Sequence, residues 1–114
     1  MGQFVIGDLV VLPFPSSTAP GSKRRPAIVV ASWAFGSSTD YLMCMVSSQR
    51  VPDPYLVALS QDDVEGGTLD RQSYVRPTYL FTADEEMILY RIGHLKPARL
   101  SEVLAKIVSL FEPT

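Results

Sequence analysis

Thiols, imidazoles and long apolar runs are scarce in this 114-residue chain, and each shortage removes a class of function. A single cysteine, Cys44, excludes an internal disulfide. A single histidine, His94, among scattered acids leaves none of the paired ligand spacings of zinc or EF-hand sites, so neither a metal nor a cofactor is expected. No GxSxG elbow is present for a serine hydrolase, and no Walker or dinucleotide glycine pattern for a nucleotide. The longest apolar runs, residues 9–12 and 27–31, fall far short of the ~20 residues that span a bilayer. The opening MGQFVIGDLV lacks a basic region ahead of a long apolar stretch, so no secretory signal is expected. Ile6 also stands where a myristoylation motif wants Ser or Thr. The expectation is a cytoplasmic protein without a membrane partner.

What is present suits an ordinary globular domain. With 46% hydrophobic and 19% charged residues there is enough apolar material for a core and too little charge for disorder. This length predicts one domain, residues 1–114. A net charge of −2 argues against a general nucleic-acid coat protein. The charges are clustered, however. Lys23, Arg24 and Arg25 make one basic group, Arg71 and Arg76 a second, and Arg91, Lys96 and Arg99 a third; acids gather at residues 62–65 and 84–86. Basic groups that converged would form a basic groove on an acidic protein.

Hydrophobic patterning predicts strands over residues 4–12, 26–33, 41–46, 55–59 and 73–81, and a last short strand over 87–92 stopped by Gly93. Residues 13–23 carry three prolines among small polar side chains, which excludes helix or strand interior and leaves a loop long enough to be functional. Pro77 inside the fifth strand predicts an edge, a bulge or an early end. Residues 36–39 read as a turn, 61–67 as an acidic loop, and 82–85 as a capping box opening one helical turn. The clearest helix comes last. Pro97 suits a first helical position, and Leu100, Val103, Leu104, Ile107, Val108 and Phe111 fall on one stripe. Closely spaced strands followed by one helix predict a mainly β fold, a small curved antiparallel sheet or barrel of five to seven strands.

Gly7-Asp8-Leu9-Val10, followed at a fixed distance by Gly21-Ser22-Lys23-Arg24-Arg25-Pro26-Ala27-Ile28-Val29-Val30, resembles the opening of the MazF/PemK family of toxins. Val46-Ser47-Ser48-Gln49, Gly66-Gly67, Ser73-Tyr74-Val75-Arg76, Arg91-Ile92-Gly93 and the apolar terminal helix then follow in the family's order. The resemblance covers nearly the whole chain, and the GSKRRPA block is its most specific part. It implies an SH3-like barrel of the CcdB/PemK type. It further implies a homodimeric type II toxin that cleaves single-stranded RNA without metal and is held by a cognate antitoxin. Two catalytic residues are implied: Arg25 of the Arg-Pro pair, and the hydroxyl ending the third strand, Ser47, with Ser48 as the alternative. The family usually has Thr at that hydroxyl position. Ser22, Lys23, Arg24, Ser48, Gln49, Ser73 and Arg76 are expected to contact RNA. Some members carry an acid where this chain has Ser73, so no base is carried over from that position.

The residue types suit the reaction. When a 2′-hydroxyl attacks the neighbouring phosphate, charge builds on the non-bridging oxygens, and a guanidinium offers a rigid fork of donors to them. A serine hydroxyl adds another donor. Arginine is a poor base in water, so proton transfer by Arg25 rests on the resemblance alone. Residues 13–24 would close over the RNA, and acids of an antitoxin segment would meet Arg25 and its neighbours. Plain structural readings stand beside these. Arg25 can be a solvated strand-start residue, Ser47 and Ser48 strand-end hydroxyls bonded to backbone, Arg76 the partner of a loop acid, and His94 a surface residue. Trp33, Tyr41 and Tyr74 can be core or interface side chains in place of base-stacking ones. Two other functions fit the same fold: a toxin that poisons a protein such as DNA gyrase, and a non-catalytic SH3-like binding module.

Overall fold

The apolar runs become strands buried on both faces. The computed structural model describes residues 2–14 and 24–112. Among them are seven strands, β1 (Asp8–Pro13), β2 (Arg24–Phe35), β3 (Ser38–Ser47), β4 (Val57–Leu59), β5 (Val64–Glu65), β6 (Ser73–Asp84) and β7 (Tyr90–Leu95), and one α-helix, α1 (Pro97–Ser109). The strands form a single antiparallel sheet in the order β4-β6-β3-β2-β1-β7-β5. No helix among the described residues is long and apolar enough to cross a membrane.

Laid flat, six spacings of about 4.8 Å would hold the two edge strands roughly 29 Å apart. Yet Val57 and Leu59 of β4 and Val64 of β5 share one core with Leu9, Ile28, Cys44, Val75 and Leu95 of the strands between. The sheet therefore curls. Val103 and Ile107 of α1 plug the inside of the curl. Because β4 and β5 do not pair with each other, the result is a half-barrel. The outer face has its own cluster, in which Val10, Leu12, Ala27, Val29, Met43 and Met45 pack with Tyr41 and Phe14. Strands buried on both faces explain why the run of residues 27–31 lacks polar alternation.

Pro77 makes a bulge. The β3–β6 register jumps from Met45↔Arg76 to Cys44↔Leu80, leaving residues 77–79 outside the ladder. Elsewhere local expectations shift. The turn between β2 and β3 is confined to Gly36 and Ser37, Gly36 at φ 58°. The capping box expected at residues 82–85 is strand as far as Asp84. The cap is Asp84 itself, accepting from the Glu86 amide at 2.9 Å at the head of a 3-10 turn over Glu85–Met87. The acidic loop holds a 3-10 turn, Gln61–Asp63, and the short β5. Gly93 does not stop the last strand but lies within it. There a Cβ would come within 2.8 Å of Val64 Cγ1 and 2.9 Å of the Glu65 carbonyl oxygen. On α1 the apolar stripe is buried at Val103 and Ile107 and exposed at Val108, while Phe111, expected on the same stripe, lies beyond the helix end and is exposed.

Asp63 ties α1 to that acidic turn. Its carboxylate accepts from the Ser60 amide at 2.9 Å and lies 3.2 Å from Arg99 Nε. Burial alone would raise its pKa, but the Ser60 amide and the Arg99 guanidinium outweigh burial, and the net shift is downward. A carboxyl lowered on folding stabilises the fold above its unfolded pKa, and that contribution is lost as pH falls through the folded value. The melting temperature is therefore expected to drop on acidification below about pH 4. Asp63→Asn should blunt the drop; an identical acid profile in that variant would count against the linkage.

Candidate active site

At its start β2 runs out of the core. Ala27 and Ile28 are buried, Arg25 and Pro26 half-buried, and Arg24 exposed. β3 ends alongside. The register that sets Ala27 opposite Met45, carried two residues outward, leads to Arg25 across from Ser47. A cleft of about 680 Å³ opens at this mouth and is lined by both residues. β2 contributes Arg24, Arg25 and Pro26, and β3 with its following turn contributes residues 46–49. The facing wall is the loop of residues 68–71 with Ser73 of β6, and Tyr90 and Ile92 of β7 complete it.

Three guanidiniums, of Arg24, Arg25 and Arg71, face one carboxylate, Asp70, among the described lining residues. The cleft is thus locally basic on a chain of net charge −2. Arg25 is steered by Phe14, over whose ring its guanidinium carbon lies at 6.0 Å. Ser47 is 7% exposed, and its Oγ accepts from the Gln49 amide at 3.0 Å. That bond pins the turn after β3 and does not use the hydroxyl proton. Ser48 and Gln49 are exposed on the same lining. Ser73 is 4% exposed, and its hydroxyl donates to the Arg71 carbonyl at 3.1 Å, so its proton serves the loop.

The remaining expected contacts fall elsewhere. Ser22 and Lys23 lie outside the described residues. Arg76 does not line the cleft; its Nε lies 3.8 Å from Asp53 and its guanidinium 5.7 Å over the Tyr79 ring. That is the pairing with a loop acid. The third basic group does not converge either, since Arg91 lies 3.7 Å from Asp8 and Arg99 pairs with Asp63 and Glu102. Of the three aromatics considered for stacking, Tyr41 is fully buried and neither Trp33 nor Tyr74 lines the cleft. Tyr90, 52% exposed, does, and with Arg71 of the second basic group it completes a wall in which only Tyr90 and Asp70 were not singled out by local patterns. Besides Arg71, the local signal for this wall was Gly66-Gly67. Gly66 has φ 72°, and at Gly67 a Cβ would meet the Ile92 carbonyl oxygen at 1.6 Å.

Other reactive groups are engaged or inert. Asp8 is 1% exposed, accepts from the Val5 amide at 3.0 Å and lies 2.9 Å from Nδ1 of the half-buried His94. Gly7 beside it, at φ 100°, donates to the Val29 carbonyl and accepts from the Leu95 amide. The Gly-Asp pair thus knots β1, β2 and β7 together. Burial pushes the Cys44 thiol up to about 12, which removes it as a nucleophile. Among the described residues no three His, Cys, Asp or Glu side chains gather as metal ligands would.

A curled antiparallel half-barrel, one terminal helix and a cleft of guanidiniums and hydroxyls at the sheet's mouth define a small β-rich protein with a locally basic cleft. The PemK-like, MazF-like toxin family of type II toxin-antitoxin systems matches residues 6–111, and the chain belongs to that family. Its fold is similar to a MazE–MazF crystal structure (form III) from Deinococcus radiodurans, with a TM-score of 0.69, 25% identity and 92% of each chain covered. It is also similar to an endoribonuclease from a mycobacterial species, with a TM-score of 0.65, 18% identity, and 99% of this chain and 98% of the other covered. A mycobacterial endoribonuclease in complex with its cognate antitoxin matches with the same score and identity over 96% and 98%. No curated protein matches the sequence.

Proposed function

We propose that residues 1–114 form one toxin domain, a metal-independent endoribonuclease of a type II toxin-antitoxin pair that cuts single-stranded RNA. The observation that carries this reading is the meeting of Arg25 and Ser47 in one basic cleft. The 2′-oxygen of RNA forms a bond to the adjacent phosphorus and the bond to the 5′-oxygen breaks, leaving a 2′,3′-cyclic phosphate and a 5′-hydroxyl. Arg25 donates to the non-bridging oxygens as their charge grows, and the Ser47 hydroxyl donates beside it. Arg24 and Arg71 hold flanking phosphates, Ser48 and Gln49 line the path of the strand, and Tyr90 offers a face for a base. Guanidiniums supply the positive charge that other nucleases take from an ion. The protein works in the cytoplasm as a homodimer. A cognate antitoxin silences it by laying an acidic segment in the same cleft, as charge complementarity favours.

Incubation of the purified protein with a long RNA in EDTA is expected to yield discrete fragments with 5′-hydroxyl ends. A substrate with a single 2′-deoxy sugar at the scissile position should stay whole. Cleavage that requires added Mg²⁺, or that proceeds through the deoxy sugar, would overturn the reading.

A further inference from the structure

One proton of this reaction has no acceptor in Arg25 or Ser47. Attack by the 2′-hydroxyl requires its removal, and the cleft offers guanidinium, hydroxyl, amide, phenol and carboxylate groups. As classes, only the carboxylate is in its basic form near neutral pH. Asp70 is the single carboxylate among the described lining residues. It sits between two straps. On its N-terminal side Gln61 accepts from the Leu69 amide and donates to the Gly67 carbonyl at 3.1 Å. On its C-terminal side Ser73 Oγ donates to the Arg71 carbonyl at 3.1 Å, and Gln72 Nε2 donates to the Leu59 carbonyl at 3.2 Å. Neither strap uses the Asp70 carboxylate. Asp8, Asp53 and Asp63 are each engaged by an arginine or histidine, whereas Asp70 forms no ion pair with a described residue. A backbone held on both sides sets Asp70, exposed and in no ion pair with a described residue, in the lining of the same cleft as Arg25 and Ser47.

We propose that Asp70 is the general base of the cleavage, an assignment that rests on the ribonuclease reading. Its carboxylate takes the 2′-hydroxyl proton as the 2′-oxygen bonds to phosphorus. The departing 5′-oxygen takes a proton from water, and the resulting hydroxide takes the proton from Asp70, so atoms and charge balance. Arg25 and Ser47 hold the non-bridging oxygens throughout. The charged and titratable groups facing Asp70 across the cleft are Arg24 and Arg25 on β2, Arg71 beside it on the loop and Tyr90 on β7.

The experiment is a pH series of single-turnover and steady-state cleavage for the native protein, Asp70→Asn and Asp70→Glu. In Asp70→Asn, kcat is expected to fall about 10²–10³-fold with KM little changed. The acidic limb of kcat/KM should vanish in that variant, and Asp70→Glu should restore part of both. Asp70→Asn that keeps native kcat and the native acidic limb overturns the assignment and leaves the ribonuclease reading intact. A raised KM with the limb preserved also overturns it, because Asp70 would then serve binding alone. RNA left whole by the native protein overturns both.

Discussion

In Arg25→Ala, RNA cleavage is expected to slow by about 10²–10³-fold, the loss of one preorganised donor worth ~3–4 kcal/mol in the transition state. The size of the effect follows from position. Arg25 is half-buried at the mouth of the sheet, steered by the Phe14 ring and lining the same cleft as Ser47. It forms no ion pair with a described residue, so its removal takes little from the fold. The variant should therefore melt with the native protein while cleaving far more slowly. Arg25→Lys keeps the charge but loses the planar fork, and only a small part of the rate should return. A loss below about tenfold in Arg25→Ala, barely 1.4 kcal/mol, would take the guanidinium out of the reaction.

Gly67→Ala is expected to damage the cleft wall and the fold together. An added Cβ would stand 1.6 Å from the Ile92 carbonyl oxygen and 2.7 Å from its carbon. Both are backbone atoms of β7, so no side-chain rotation relieves the clash; either the loop lifts or the strand shifts. Overpacking of this kind costs about 1–3 kcal/mol, against a total stability of about 5–15 kcal/mol for a domain. Gly67 leads directly into the residues that carry Asp70 and Arg71, so the same displacement opens the cleft. A lowered urea midpoint is expected with a slowed cleavage rate. A native midpoint and a native rate would show that the loop is not seated on β7.

Local patterns were sufficient for the elements that local physics forms. Pro97 and the heptad-like stripe mark α1, which begins at Pro97. The apolar runs of residues 26–33, 41–46 and 73–81 each lie inside a longer strand. Pro77 announces a bulge because a residue without an N–H cannot serve the ladder. Residues 4–7 and 55–56, expected as strand, lie outside β1 and β4; the other misses are elements that exist only through pairing. β5 is two residues long and is a strand because Val64 and Glu65 meet Leu95 and His94. β7 runs three residues beyond the expected end because β1 continues to pair through Gly93 and His94.

The site divides in the same way. Arg24, Arg25, Ser47, Ser48 and Gln49 sit in short motifs that can be read off the chain, and all five line the cleft. Arg71 and Arg76 are only five residues apart and look equivalent in the sequence. Tertiary structure separates them: Asp53 and Tyr79 draw Arg76 away, while the strapped loop presents Asp70 and Arg71 to the site. The sequence alone determined the long strands and the helix, which depend on residues a few positions apart, and the motifs that carry Arg25 and Ser47. Only the tertiary structure decided which charges share a cleft. That depends on strand register and on loops packed against distant strands, and no spacing along the chain encodes it.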